Sequence, residues 1–152
     1  MKKTLSLLLT LCLMISVFSA FAIAEQATQT VTVPAPVTNL KDDSAFQGEW
    51  KVTHMVMGDQ LIDMSQALTL LGSEFPMNFK IADGKVISPS ADGTKTEENA
   101  YVFENSFLKT EDAQGVAEIY LLEDGRLGIE MTAAAMEGMK IGLICEPVKA
   151  AE

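Results

Sequence analysis

From residue 48 onwards, apolar and polar side chains alternate with a period of two, and turn-forming dipeptides break the alternation at short intervals. That rhythm marks strands with one buried face. Residues 49–57 predict a first strand with Trp50, Val52, His54 and Val56 on one face. Over 75–81, Phe75, Met77, Phe79 and Ile81 alternate with Pro76, Asn78 and Lys80. Asp83-Gly84 then predicts a hairpin turn, since glycine takes positive φ freely and aspartate tolerates it. A short strand over 85–88 stops at Pro89, and Asp92-Gly93 turns the chain again. Residues 98–103 and 107–110 flank a turn at Glu104-Asn105, and 112–115 reads as a loop before a strand over 116–122. Asp124-Gly125 leads into Leu127, Ile129 and Met131, which alternate with Gly128 and Glu130. The last strand sets Met139, Ile141, Leu143 and Cys145 on one face, and Pro147 ends it.

One stretch keeps a different period. Leu61, Met64, Leu68 and Leu71 recur every three or four residues, Asp63 and Gln66 stand at capping-box spacing, and Gly72 supplies a stop. A short helix is therefore expected between the first and second strands, with its apolar stripe on the sheet. Eight short strands joined by tight turns must lie antiparallel to their neighbours. The expected fold is all-β: an antiparallel eight-stranded meander barrel with one short helix after the first strand, closed so that no edge is exposed. A two-sheet sandwich is the rival, and the hairpin-length connections favour the meander because sandwiches need longer crossovers.

The first 24 residues follow another plan. Lys2 and Lys3 precede an apolar run over 5–17, and Ala22-Ile23-Ala24 is a small-x-small cleavage site. The run is shorter than the ~20 residues that span a bilayer. A signal peptide over 1–24, cleaved after Ala24, is expected, and with it secretion to the periplasm or the extracellular space without stable membrane insertion. Cys12 follows Leu11 inside the apolar run, the wrong place for a lipid anchor. Residues 25–43, with Pro34 and Pro36 among Thr, Gln and Val, read as a flexible tether. The domain proper is then 44–148.

Charge narrows the partners. Loss of Lys2 and Lys3 takes the 11 basic residues to nine against 21 acidic ones, a net charge of −12. Such a field repels phosphate backbones, so nucleic acid is not an expected partner. The acids are scattered, as on a solubilising surface. Cleavage leaves one cysteine, Cys145, so the fold must stand without an internal disulfide. Its place on an apolar strand face points to a buried thiol, the other reading being a link between chains. A monomer is expected.

Gly48-Glu49-Trp50-Lys51 opens the first strand, and the last strand contains Met139-Lys140-Ile141-Gly142-Leu143. Together with the eight-strand meander, these features resemble the lipocalin and fatty-acid-binding barrels (the calycin group), and more narrowly the short lipocalin-like domains of secreted bacterial proteins. The resemblance covers 46–148. It implies that Trp50 packs at the closed barrel end and that inward residues line a cavity for a small apolar ligand.

Catalysis finds little to work with. Outside the leader there is one His, one Cys and one Arg. Zinc wants three or four converging ligands, and no Gly-x-Ser-x-Gly elbow, P-loop or dinucleotide motif is present. Neither a metal nor a cofactor is expected, nor is the chain expected to be an enzyme. His54 is expected to point inward with Trp50, either as a hydrogen-bonded interior histidine or as an anchor for a ligand head group. A third reading lets the strand end twist its ring to solvent. The many methionines suit irregular packing or adaptable binding, and 133–139 reads as a loop able to cover an open barrel end. Two functions follow. The first is a binding protein for a small apolar ligand, its cavity lined by Phe75, Phe79, Ile129, Met131, Met139 and Leu143, with Trp50 and His54 in support. The second is an extracellular or cell-envelope domain that binds a protein partner, with a filled barrel and an apolar patch near Met55 and Met57.

Overall fold

The three-dimensional structure, a computed structural model, describes residues 32–57, 60–71, 77–90, 94–112, 115–133 and 140–148. The expected signal peptide, the Asp92-Gly93 turn and the stretch 134–139 lie outside the described residues. Among the described residues ten strands form one antiparallel sheet: β1 (Gly48–Met57), β2 (Gln60–Asp63), β3 (Asn78–Ala82), β4 (Lys85–Pro89), β5 (Thr96–Ala100), β6 (Val102–Glu104), β7 (Phe107–Asp112), β8 (Gly115–Leu121), β9 (Leu127–Ala133) and β10 (Lys140–Pro147). The helix α1 is Met64–Leu71. Their order in the sheet is β5-β4-β3-β1-β10-β9-β8-β7-β6, with β2 on β1 beside this path.

The first and last strands pair along most of their length, from Trp50↔Pro147 to Val56↔Gly142. The sheet's two edges, β5 and β6, are successive halves of one run, parted only by Tyr101. β5 bonds to β4 and β6 bonds to β7, so this bent run joins the ends of the sheet into a nearly closed barrel. Two features raise the strand count from the expected eight to ten. The run over 98–103 divides at Tyr101, whose N–H leaves the ladder and donates to the Gly84 carbonyl at 3.1 Å. Residues 60–63, which share the helical spacing of Leu61 and Met64, instead pair with β1 from Met57↔Gln60 to His54↔Asp63. With β2 set aside and β5–β6 taken as one, the nine strands of the path become eight staves in chain order. This is the meander that the short connections dictate.

Local chemistry places the turns and the helix. Asp83 and Gly84 both take positive φ, 52° and 75°, the backbone that suits a two-residue hairpin. The turn expected at Glu104-Asn105 sits one residue later than the sequence suggests. Glu104 pairs with Phe107, and Asn105 and Ser106 take φ of 52° and 68°. The carboxylate of Asp63 accepts hydrogen bonds from the N–H groups of Ser65 at 2.8 Å and Gln66 at 3.2 Å, capping α1 as the spacing predicts.

Among the described residues, the buried apolar side chains form a single cluster in the interior. One course of it crosses five strands in direct register: Leu108, Ile119, Ile129, Leu143 and Met55. One end of the barrel, here the base, is shut by a 3-10 turn over Ser44–Phe46. Phe46 is fully enclosed, its carbonyl accepts the Trp50 indole N–H at 2.8 Å, and its ring meets Phe103 edge-on at 6.4 Å. Gly48 has φ +134° with open space where a Cβ would stand. The glycine of Gly-x-Trp is therefore required by the backbone that swings the chain from this turn into β1.

Residues 32–43, part of the expected tether, run across the base and are bonded to it. The Val37 N–H donates to Leu121 and the Glu123 N–H to Ala35, at 2.9 and 3.1 Å, and Pro36 bridges to Leu122. The Leu40 N–H donates to Ser106 Oγ at 2.9 Å, and the Tyr101 hydroxyl donates to Asp43 at 2.5 Å. Leu40 packs on the core.

Candidate functional site

The barrel interior is where the candidate residues gather. Trp50, Phe79, Ile129, Met131 and Leu143 all belong to the one interior cluster. Around the base Phe46, Ile81, Leu127 and Cys145 have no exposed surface, whereas Ile129, Met131, Leu143 and Phe79 each keep 6–9 %. Trp50 stands cross-strand from Phe79, with its indole bonded to the base turn. Phe75 and Met139 lie outside the described residues.

His54 stands elsewhere. The pairing of β1 with β10 steps from Val52↔Cys145 to His54↔Ile144, so Thr53 is one residue extra. A bulge of this kind shifts the alternation by one. Trp50 and Val52 face inward before it and Met55 after it, opposite Leu143 and Ile62. His54 therefore turns to the outer face, between Ile144 and Asp63, with its Nδ1 3.0 Å from the Thr53 hydroxyl. This corrects the expectation that His54 shares the Trp50 face and could anchor a ligand inside. The same shift takes Met55 into the core, only 2 % exposed, and out of the apolar surface patch expected near it.

The interior is not apolar all round. On β4 and β5 the inward positions are Val86 and Ser88, paired with Asn99 and Glu97. Val86 packs on the core and Ser88 is buried. Oε2 of Glu97 is buried, and among the described residues it has no hydrogen-bond partner. Its neighbour Glu98 points outward, into an ion pair with Lys85 at 2.6 Å. Ser90 closes the loop beyond: its N–H donates to the Lys95 carbonyl at 2.7 Å, and its Oγ accepts the Lys95 N–H at 3.0 Å. Sequence reasoning missed this polar wall. Its trace in the sequence is the polar stretch 96–99, where alternation alone gives no inward face.

A concavity of about 400 Å³ lies on the outer face between residues 33–36 and the sheet, where Phe107, Tyr120, Glu118 and Glu130 line it. The rings of Phe107 and Tyr120 stand 5.8 Å apart. Burial, and then the nearby Glu130 carboxylate, push the Tyr120 hydroxyl above its usual pKa. Glu130 itself pairs with Lys140 at 2.5 Å. Cys145 is free and wholly enclosed, and burial raises its thiol far above the usual range. A buried neutral thiol is a poor nucleophile.

Comparison with known proteins yields no matching family model, no matching curated protein and no matching solved structure.

Proposed function

We propose that this chain is a secreted, lipocalin-like binding protein that holds a small, largely apolar ligand inside its barrel, and that its work is binding rather than catalysis. The observation that carries the reading is the barrel interior itself, an apolar cluster that includes Phe79, Ile129, Met131 and Leu143 and has a few polar groups, Ser88, Glu97 and Asn99, on one wall. Apolar chambers with a few polar groups are the usual form of small-molecule sites. The leader read from Lys2 to Ala24 supports export, and the Gly48-x-Trp50 opening of an eight-stave meander supports the lipocalin-like assignment.

Native mass spectrometry of protein taken from its own secretion compartment tests this. A retained small molecule, released on denaturation, is the expected result. In vitro, an environment-sensitive apolar dye should bind, and Met131→Trp should displace it by filling the interior. Thr132→Trp, on the other face of β9, should not. No adduct, together with dye binding unaffected by Met131→Trp, would overturn the proposal.

A further inference from the structure

We propose that the ligand is an amphiphile with a protonated amine at its head, held by the Glu97 carboxylate while its chain lies along Ile129, Met131 and Leu143. This rests on the interior-binding reading and specifies its ligand. Glu97 occupies an inward position beside buried Ser88, and the buried Oε2 finds no donor among the described residues. Buried polar atoms are nearly always hydrogen-bonded, and an orphan calls for a specific partner. The group needed is a donor, because an ionised carboxylate only accepts.

Several observations select a cation. Across the rung from Glu97 is the Ser88 hydroxyl, and two residues along the same face is the Asn99 amide, so acceptors for an ammonium group line this wall. Among the described residues no Lys, Arg or His takes an inward position. Lys85 is engaged outside with Glu98, Lys140 with Glu130 and Arg126 with Asp124. His54, the other candidate, is turned outward by the Thr53 bulge. An anionic head group would meet a carboxylate with no cation beside it, whereas an ammonium would form a charge-assisted bond there. Position agrees with this. Glu97 lies near the start of β5, at the barrel end away from the base, and the apolar cluster continues from there to Trp50.

The test compares three probes with one tail: decylamine, decanol and decanoate. Each is titrated into the purified protein while the fluorescence of Trp50, the chain's single tryptophan, is followed. Decylamine should bind about ten- to a hundredfold tighter than decanoate, the scale of one charge-assisted hydrogen bond. Glu97→Gln should shrink that gap to about threefold or less and leave decanol unchanged. Glu98→Gln, on the outer face of the same strand, should leave the gap intact. In wild-type protein the preference should also survive about 0.5 M salt, which screens the acidic surface but not a buried pair. Equal binding of amine and decanoate, a gap that persists in Glu97→Gln, or a gap abolished by salt would overturn the assignment. Decanol binding without an amine preference removes the head-group inference alone. Failure of all three probes removes it together with the interior-binding reading.

Discussion

Replacing Gly128 by alanine should destabilise the barrel through a single ring. Gly128 lies on the outer face of β9, directly cross-strand from Tyr120. A Cβ built there would stand 2.8 Å from the Tyr120 hydroxyl oxygen and nearer still to two of its ring carbons. The ring must therefore lift away, which disturbs its packing on Phe107 at 5.8 Å. Forcing a methyl into such a contact costs about 1–3 kcal/mol, and the aromatic pair at stake contributes about 0.5–1.5 kcal/mol. Against this, exchanging glycine for alanine restricts the unfolded chain and returns about 0.4–1 kcal/mol. The expected net loss is about 2 kcal/mol, within a span of about 0.5–4. Urea unfolding followed by Trp50 fluorescence should show a lower midpoint with an unchanged slope. In a Tyr120→Ala background the same glycine replacement should be neutral or slightly stabilising, so the double-mutant cycle should give a coupling of about 1 kcal/mol or more. If the two substitutions add to within about 0.5 kcal/mol, the ring does not depend on the missing side chain and the reasoning fails.

Three other outcomes can be measured on the same material. Met55→Ala should cost about 2–5 kcal/mol as a core truncation, while His54→Ala next to it stays within about 1 kcal/mol; reversed sizes in urea unfolding would remove the bulge at Thr53. Asp63→Ala should cost about 1 kcal/mol near neutral pH by uncapping α1. The Ser65 side chain first, and then the Gln66 N–H, hold the Asp63 carboxyl below its usual 3.8, so the cap's contribution is complete above that value and is lost as the pH falls below it, through the lowered pKa of the folded state. Wild-type and Asp63→Ala melting curves recorded by circular dichroism should therefore converge below about pH 4, and a gap constant with pH would contradict this. Cys145, neutral and enclosed, should react with iodoacetamide no faster than the protein unfolds. Rapid labelling in native buffer would show that the base of the barrel is open.

Local signals decided much of this molecule. Alternation and turn dipeptides are consequences of a few neighbouring residues, so the strands from Phe107 to Pro147, the turn at Asp83-Gly84 and the Asp63 cap were legible in the chain. So was the meander, because short connections leave antiparallel neighbours no other arrangement. Candidates such as Ile129, Met131 and Leu143 followed from their strands' regular period. The rest turned on register, which no residue carries by itself. One extra residue at Thr53 moved His54 outward and Met55 inward. Glu97 and Glu98 are chemically identical neighbours, and only the pairing of β5 with β4 sends one inside and the other to Lys85. Gly128 reads as a gap in the alternation until the Tyr120 ring fills it from the next strand. Residues 32–43 look featureless because their hydrogen bonds go to partners as far away as Ser106 and Leu121. Period and turns arise within a few residues of chain, whereas facing, pairing and enclosure arise only when distant strands meet.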